Sequence, residues 1–139
     1  MKKLIIALSF VMCFMSVPKA YATEAELRAA RPLSVNLAEC AVIFFAMTQA
    51  PEVIKGPPKQ FTTLQKTAFL FQKGAQAQAK SEGQESHELY VDEHIRQTLG
   101  KWKKKSYDMS SKAETREWVK YCVTQGSEVG IIATQAKNK

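Results

Sequence analysis

The segment Ser34 to Ala50, SVNLAECAVIFFAMTQA, limits what this chain can become more than any other stretch. Leu37, Cys40, Ala41, Phe44, Met47 and Thr48 recur at three- and four-residue steps, the period of a helix. Val42, Ile43 and Phe45 add apolar bulk on the flanks. A helix greasy round most of its circumference is one that other elements must surround. The same breadth also suits a dimer contact, although core is the commoner use of such residues. Ser34 stands where an N-cap belongs.

Residues 1 to 22 read as a secretory leader and are set aside from the fold. Lys2 and Lys3 give a positive start, Leu4 to Val17 is an uncharged apolar run, and Pro18 breaks it. Ala20-Tyr21-Ala22 places small residues where a signal peptidase reads, which predicts cleavage after Ala22. The run is shorter than the roughly 18–20 residues that cross a bilayer, so an uncleaved anchor is the weaker reading. Val11 and Met12 before Cys13 do not suit lipid attachment. No transmembrane segment is expected after cleavage.

Removing the leader leaves residues 23–139, enough for a single helical domain with one core. The balance drops from +7 to 17 basic against 13 acidic residues, or +4. Much of the apparent basicity is therefore leader, and a nucleic-acid partner is not expected. The localisation implied is periplasmic or secreted.

Two cysteines remain, Cys40 and Cys122. In an oxidising compartment they permit one intramolecular disulfide. The alternatives are two free thiols or a bridge between chains. An internal bridge over so long a loop stabilises by roughly 4–5 kcal/mol in the chain-entropy account. It also requires the first long helix and the last to be neighbours.

The rest of the chain reads as helices. Thr23 to Ala30 is a short one with Thr23 and Glu26 at capping-box spacing. Ala50 to Gln60, with Pro51, Gly56, Pro57 and Pro58, is the clearest break and reads as an extended, stiff connection. A second long helix spans Phe61 to Lys80. Its stripe is Phe61, Leu64, Ala68, Phe71 and Ala75, widened by Phe69 and Leu70 and weakened at Gly74. A third runs from Ser86 to Tyr107 on Val91, Ile95, Leu99 and Trp102. A fourth, Lys112 to Ala136, is capped by Ser111 and Glu114 and carries Trp118, Tyr121, Cys122, Gln125, Val129 and Ile132. Gly126 and Gly130 suit close helix contact or a kink. The fold expected is all-α: a small four-helix up-down bundle with one disulfide from the first long helix to the last.

Catalytic signatures are absent, so the chain does not read as an enzyme. His87 and His94 are seven positions apart, and no carboxylate lies three or four residues from His94. Neither a metal nor a cofactor is expected. The haem pattern Cys-x-x-Cys-His is missing, as are the redox Cys-x-x-Cys, nucleophile-elbow, zinc-protease and phosphate-loop patterns.

The most specific local feature is Lys101-Trp102-Lys103-Lys104-Lys105. Lysines around a tryptophan suit an anionic partner, such as lipid headgroups, cell-wall carboxylates or an acidic protein surface. The simpler explanation is a basic helix C-terminus that complements the macrodipole, with Trp102 in the core stripe. The function expected is a small exported, non-catalytic helical binding or accessory protein, its partner another envelope or exported protein. The alternatives are docking on an anionic envelope surface through Lys101–Lys105 and carriage of a small apolar ligand.

Overall fold

The computed structural model describes residues 23–107 and 112–131, with no strand among them. Six helices follow in order: α1 (Glu24–Ala30), α2 (Leu33–Met47), α3 (Pro51–Ile54), α4 (Pro58–Ser81), α5 (His87–Tyr107) and α6 (Lys112–Glu128). The four long helices answer to the expected rods and α1 to the expected short helix, while α3 is additional, so a count of four understates the architecture. The expected leader, the expected Ser111 cap and the stretch from Ile132 to Lys139 lie outside the described residues.

Helix α2 is the centre. It packs against α4, α5 and α6, while α4 also touches α5 and α5 touches α6 lightly. Nine consecutive residues, Asn36 to Phe44, are buried. Side chains pointing in every direction are therefore covered, as its greasy circumference requires.

The start of α2 differs from expectation. Ser34 is not the cap: Pro32 occupies that position and brings no side-chain hydrogen bond. The job passes to Glu82, just beyond α4. Its carboxylate accepts from the Ser34 amide at 3.1 Å and from the Ser34 hydroxyl. A carboxylate here satisfies an orphan amide and faces the positive end of the helix dipole. Burial opposes ionisation of Glu82, yet the Ser34 hydrogen bonds outweigh it and hold the carboxyl below its usual range.

The prolines between residues 50 and 60 start helices instead of keeping the chain extended. Pro51 opens α3, Pro57 caps α4 and Pro58 is its first residue. Proline fits there because the first helical amides have no partner to lose. The Thr23–Glu26 capping box on α1 is present as expected.

Helix α4 ends at Gly83, φ 89°, where the Gln84 amide donates to the Ala79 carbonyl at 3.0 Å. Helix α6 ends the same way at Gly130, φ 73°, with Ile131 donating to Gly126 at 2.8 Å. Both are glycine-terminated helix ends. Gly130 therefore stops α6, and Val129 is exposed instead of extending the core stripe. Gly74 has a positive use: a Cβ there would lie 2.2 Å from Ile131, so its absence seats that side chain against α4.

Around α2 the packing is aromatic. Phe44 stacks on Phe71 of α4 at 5.4 Å, and Trp102 of α5 meets Trp118 of α6 edge-on at 5.8 Å. Cys40 and Cys122 are bonded and fully buried, joining α2 to α6 across 82 positions of sequence. The double variant Cys40→Ser/Cys122→Ser is expected to lose about 4 kcal/mol in urea unfolding relative to the oxidised protein. A loss below about 1 kcal/mol would show that the bridge constrains little.

Candidate functional site

Helix α5 delivers Trp102 inward. Its ring is 1% exposed, and its indole N–H donates to Glu39 Oε1 at 2.8 Å. Glu39, on α2 one residue before Cys40, is also 1% exposed. Its other oxygen, Oε2, accepts from Arg31 Nη1 at 2.7 Å, and Lys101 Nζ stands 3.7 Å from Oε1. A buried carboxylate is tolerable only when charge and hydrogen bonds meet it, and here both do. Glu39 is thus a junction between α2, α5 and the short link that leads out of α1.

This junction accounts for much of the Lys101–Lys105 cluster. Lys101 serves Glu39 and lies 5.5 Å from the Trp102 ring; Lys105 lies 4.9 Å from the same ring and pairs with Glu114 of α6. Lys104 is exposed, and Lys103 is half-buried. Trp102 offers no face to a partner. The cluster is brought together, but largely around the protein's own carboxylates and tryptophan.

Arg28 of α1 repeats the theme. Its guanidinium sits 4.9 Å from the Trp118 ring and 5.0 Å from that of Tyr121, while its carbonyl accepts from Asn36 Nδ2 at 2.8 Å. Cation–π contact of this kind ties α1 to α6.

His94 lines a second depression with Tyr90, Glu93 and Gln97. Its Nε2 is buried without a hydrogen-bond partner. Burial lowers its pKa, Glu39 pulls it up, and Arg31 and Lys101 push it down; the net direction is down. Among the described residues no three His, Cys, Asp or Glu side chains come close enough to hold a metal ion.

An apolar trough lies beside the core stripe of α4, where that helix meets α2 and α5. Ala41, Val42 and Phe45 of α2, Ala68 and Phe69 of α4, and Ile95 and Leu99 of α5 line this trough of about 450 Å³. Among the described residues that line it, Gln65 and Gln72 are the polar ones. Phe45 is 39% exposed and Phe69 56%, so the trough is open along one edge. A shallower depression of about 340 Å³ begins on the other side of Phe69, along Lys66 and Leu70.

The trough corrects one expectation. Phe69 and Leu70 do not widen the core stripe; Leu70 is 47% exposed. At 100° per residue, Phe69 points about 160° and Leu70 about 100° away from Phe71, which faces α2. That signal was in the spacing. Comparison of the chain with family models, curated proteins and solved structures gave no match. Among the described residues no helix is long and apolar enough to cross a membrane.

Two outcomes follow from the junction. Glu39→Ala leaves Arg31 and the Trp102 indole without their acceptor, and unfolding should show a loss of about 3 kcal/mol, since breaking a buried pair is costly. Lys104→Gln should change stability by less than about 0.5 kcal/mol. Equal effects would show that Glu39 is no junction. For His94, the unfolded chain takes up a proton near pH 6.5 and the folded chain only at lower pH. Stability should therefore fall as pH drops from about 6.5 through the depressed pKa, and His94→Gln should flatten that fall. Urea midpoints at about pH 7.5 and about pH 5.5 read it, and identical slopes for both proteins would contradict it.

Proposed function

We propose that the protein is an exported, non-catalytic helical binding protein, and that its contact surface is the trough between α2, α4 and α5. The observation that carries this is the exposure of Phe45 and Phe69 along the edge of one concave apolar site, with exposed Leu70 beyond Phe69. Large apolar side chains gathered at one place on a surface mark an interaction site more often than isolated ones do. Neither Gln65 nor Gln72 is an acid, a base or a nucleophile, so the trough is suited to holding and not to reacting.

The open edge favours a macromolecular partner over a carried small molecule. A ligand pocket covers roughly 70–90% of what it holds, whereas this trough leaves one side free. Docking through Lys101–Lys105 has less support. Two of those lysines answer to Glu39 and Glu114, and Trp102 is buried.

Export is supported by the apolar leader with its Ala20-Tyr21-Ala22 site and by the buried Cys40–Cys122 bridge. Site-specific photo-crosslinking in the host envelope tests the reading. A benzophenone at position 45 or 69 should give a discrete adduct, and one at position 88, on exposed Glu88, should give none. Equal labelling at all three positions, or none at 45 and 69, would overturn it.

A further inference from the structure

Helix α4 carries a pattern that the trough alone does not explain. Lys59, Lys66, Lys73 and Lys80 are spaced by seven residues, and all four are exposed. At 3.6 residues per turn a seven-residue step returns to the same face with a drift of about 20°. The four amines therefore form one line about 31 Å long, with steps of about 10.5 Å.

The line is uncompensated. From Val53 to Ser81 the sequence holds no aspartate or glutamate. Lys59, Lys66 and Lys80 make no ion pair with a described residue, and Lys73 reaches only Gln76 at 3.2 Å and the Phe69 ring at 5.6 Å. The two carboxylates joined to α4 are already engaged: Asp92 accepts from Gln72 at 2.9 Å, and Glu82 holds Ser34. On α5, by contrast, Arg96 pairs with Glu93 and Lys105 with Glu114.

The row passes between Phe69 and Leu70, and the trough lies about a quarter turn round α4 from it. We infer that this face docks an acidic amphipathic helix of a partner protein: apolar side chains enter the trough, and acids at seven-residue spacing meet the lysine row. The inference rests on the trough reading proposed above and adds the chemistry of the occupant. Two packed helices sit about 8–10 Å apart, within reach of a lysine side chain at the edge of the contact. Flanking charge pairs at seven-residue repeat are how helices select one another's register.

An anionic bilayer fits less well. A planar surface meets the row but cannot reach the buried floor of the trough at Ala41, Val42 and Ala68. Only Phe69 and Leu70 project beside the lysines, which is little apolar surface for insertion.

The test uses the mature, oxidised chain and a labelled three-heptad peptide with leucine at a and d and glutamate at e and g. Glutamate at those positions also keeps the probe from pairing with itself. Anisotropy should report binding that weakens by roughly tenfold when salt is raised from about 50 to about 500 mM. Lys66→Gln/Lys73→Gln and Phe69→Ser should each weaken it by roughly tenfold, while Lys104→Gln leaves it unchanged. A peptide with lysine for every glutamate should not bind. Circular dichroism of each variant confirms the fold. If Phe69→Ser weakens binding and the lysine pair does not, the acidic partner is overturned and the trough reading stands. If neither weakens it, both fall. Sedimentation with phosphatidylglycerol vesicles that is lost in the lysine pair, without peptide binding, overturns the helix in favour of a lipid surface.

Discussion

Enclosing α2 on all but its Phe45 edge is the constraint from which the rest of this structure follows. A helix so placed meets solvent mainly at Phe45, and its polar groups lie on buried faces. Asn36, Glu39 and the amide of Ser34 must each find a partner on another segment. They find them on α1, on the link after it, on α5 and just beyond α4. The same contacts hold those segments in place, so meeting the polar needs of α2 also positions its neighbours. The bridge from Cys40 to Cys122 adds α6 by a covalent bond. Unmet polar groups in such a place are expensive, and that expense turns a greasy rod into a specific centre.

The surface chemistry is a consequence of this arrangement. Helix α5 commits Lys101, Trp102 and Lys105 of the most conspicuous sequence cluster to Glu39 and Glu114, and leaves Lys104 exposed. Helix α4 gives only one stripe to the core: Ala68, Phe71, Ala75 and Ala79 are buried against the rest. Its outer face is left with lysines and two large apolar side chains. A surface of that composition, beside an open trough, offers both burial and charge, and the proposed partner contact rests on it. The lysine-tryptophan run is the louder signal in the sequence, and the α4 face is the one left available.

How much of this was legible depended on the range of the interaction. Helix identity was legible, because three- and four-residue spacing is local and α4 and α5 are long enough to show it. The cysteine pair was legible by elimination once the leader was set aside. Ser34 misled because its acceptor, Glu82, is 48 residues away, and local cap chemistry contains no trace of it. The prolines around residue 57 misled because proline both ends and begins helices, and the two uses look alike until the fold chooses. Glu39 was visible as the lone acid in an apolar run, a sign that partners are needed, but nothing in the spacing pointed to Arg31 or Trp102. Phe69 and Leu70 read as part of the core stripe although helical-wheel angles turn them away from Phe71, and the same angles align the lysine row.

The central claim is that α2 is the element whose release requires the whole fold to open. Native-state hydrogen exchange followed by mass spectrometry tests it most directly. Amides of residues 37–46 should exchange slowest in the chain, at a free energy equal to global unfolding, with residues 118–126 of α6 in the same class. Faster exchange in α2 than in α5 would mean that this helix opens by itself, and the account of a surrounded centre would be wrong.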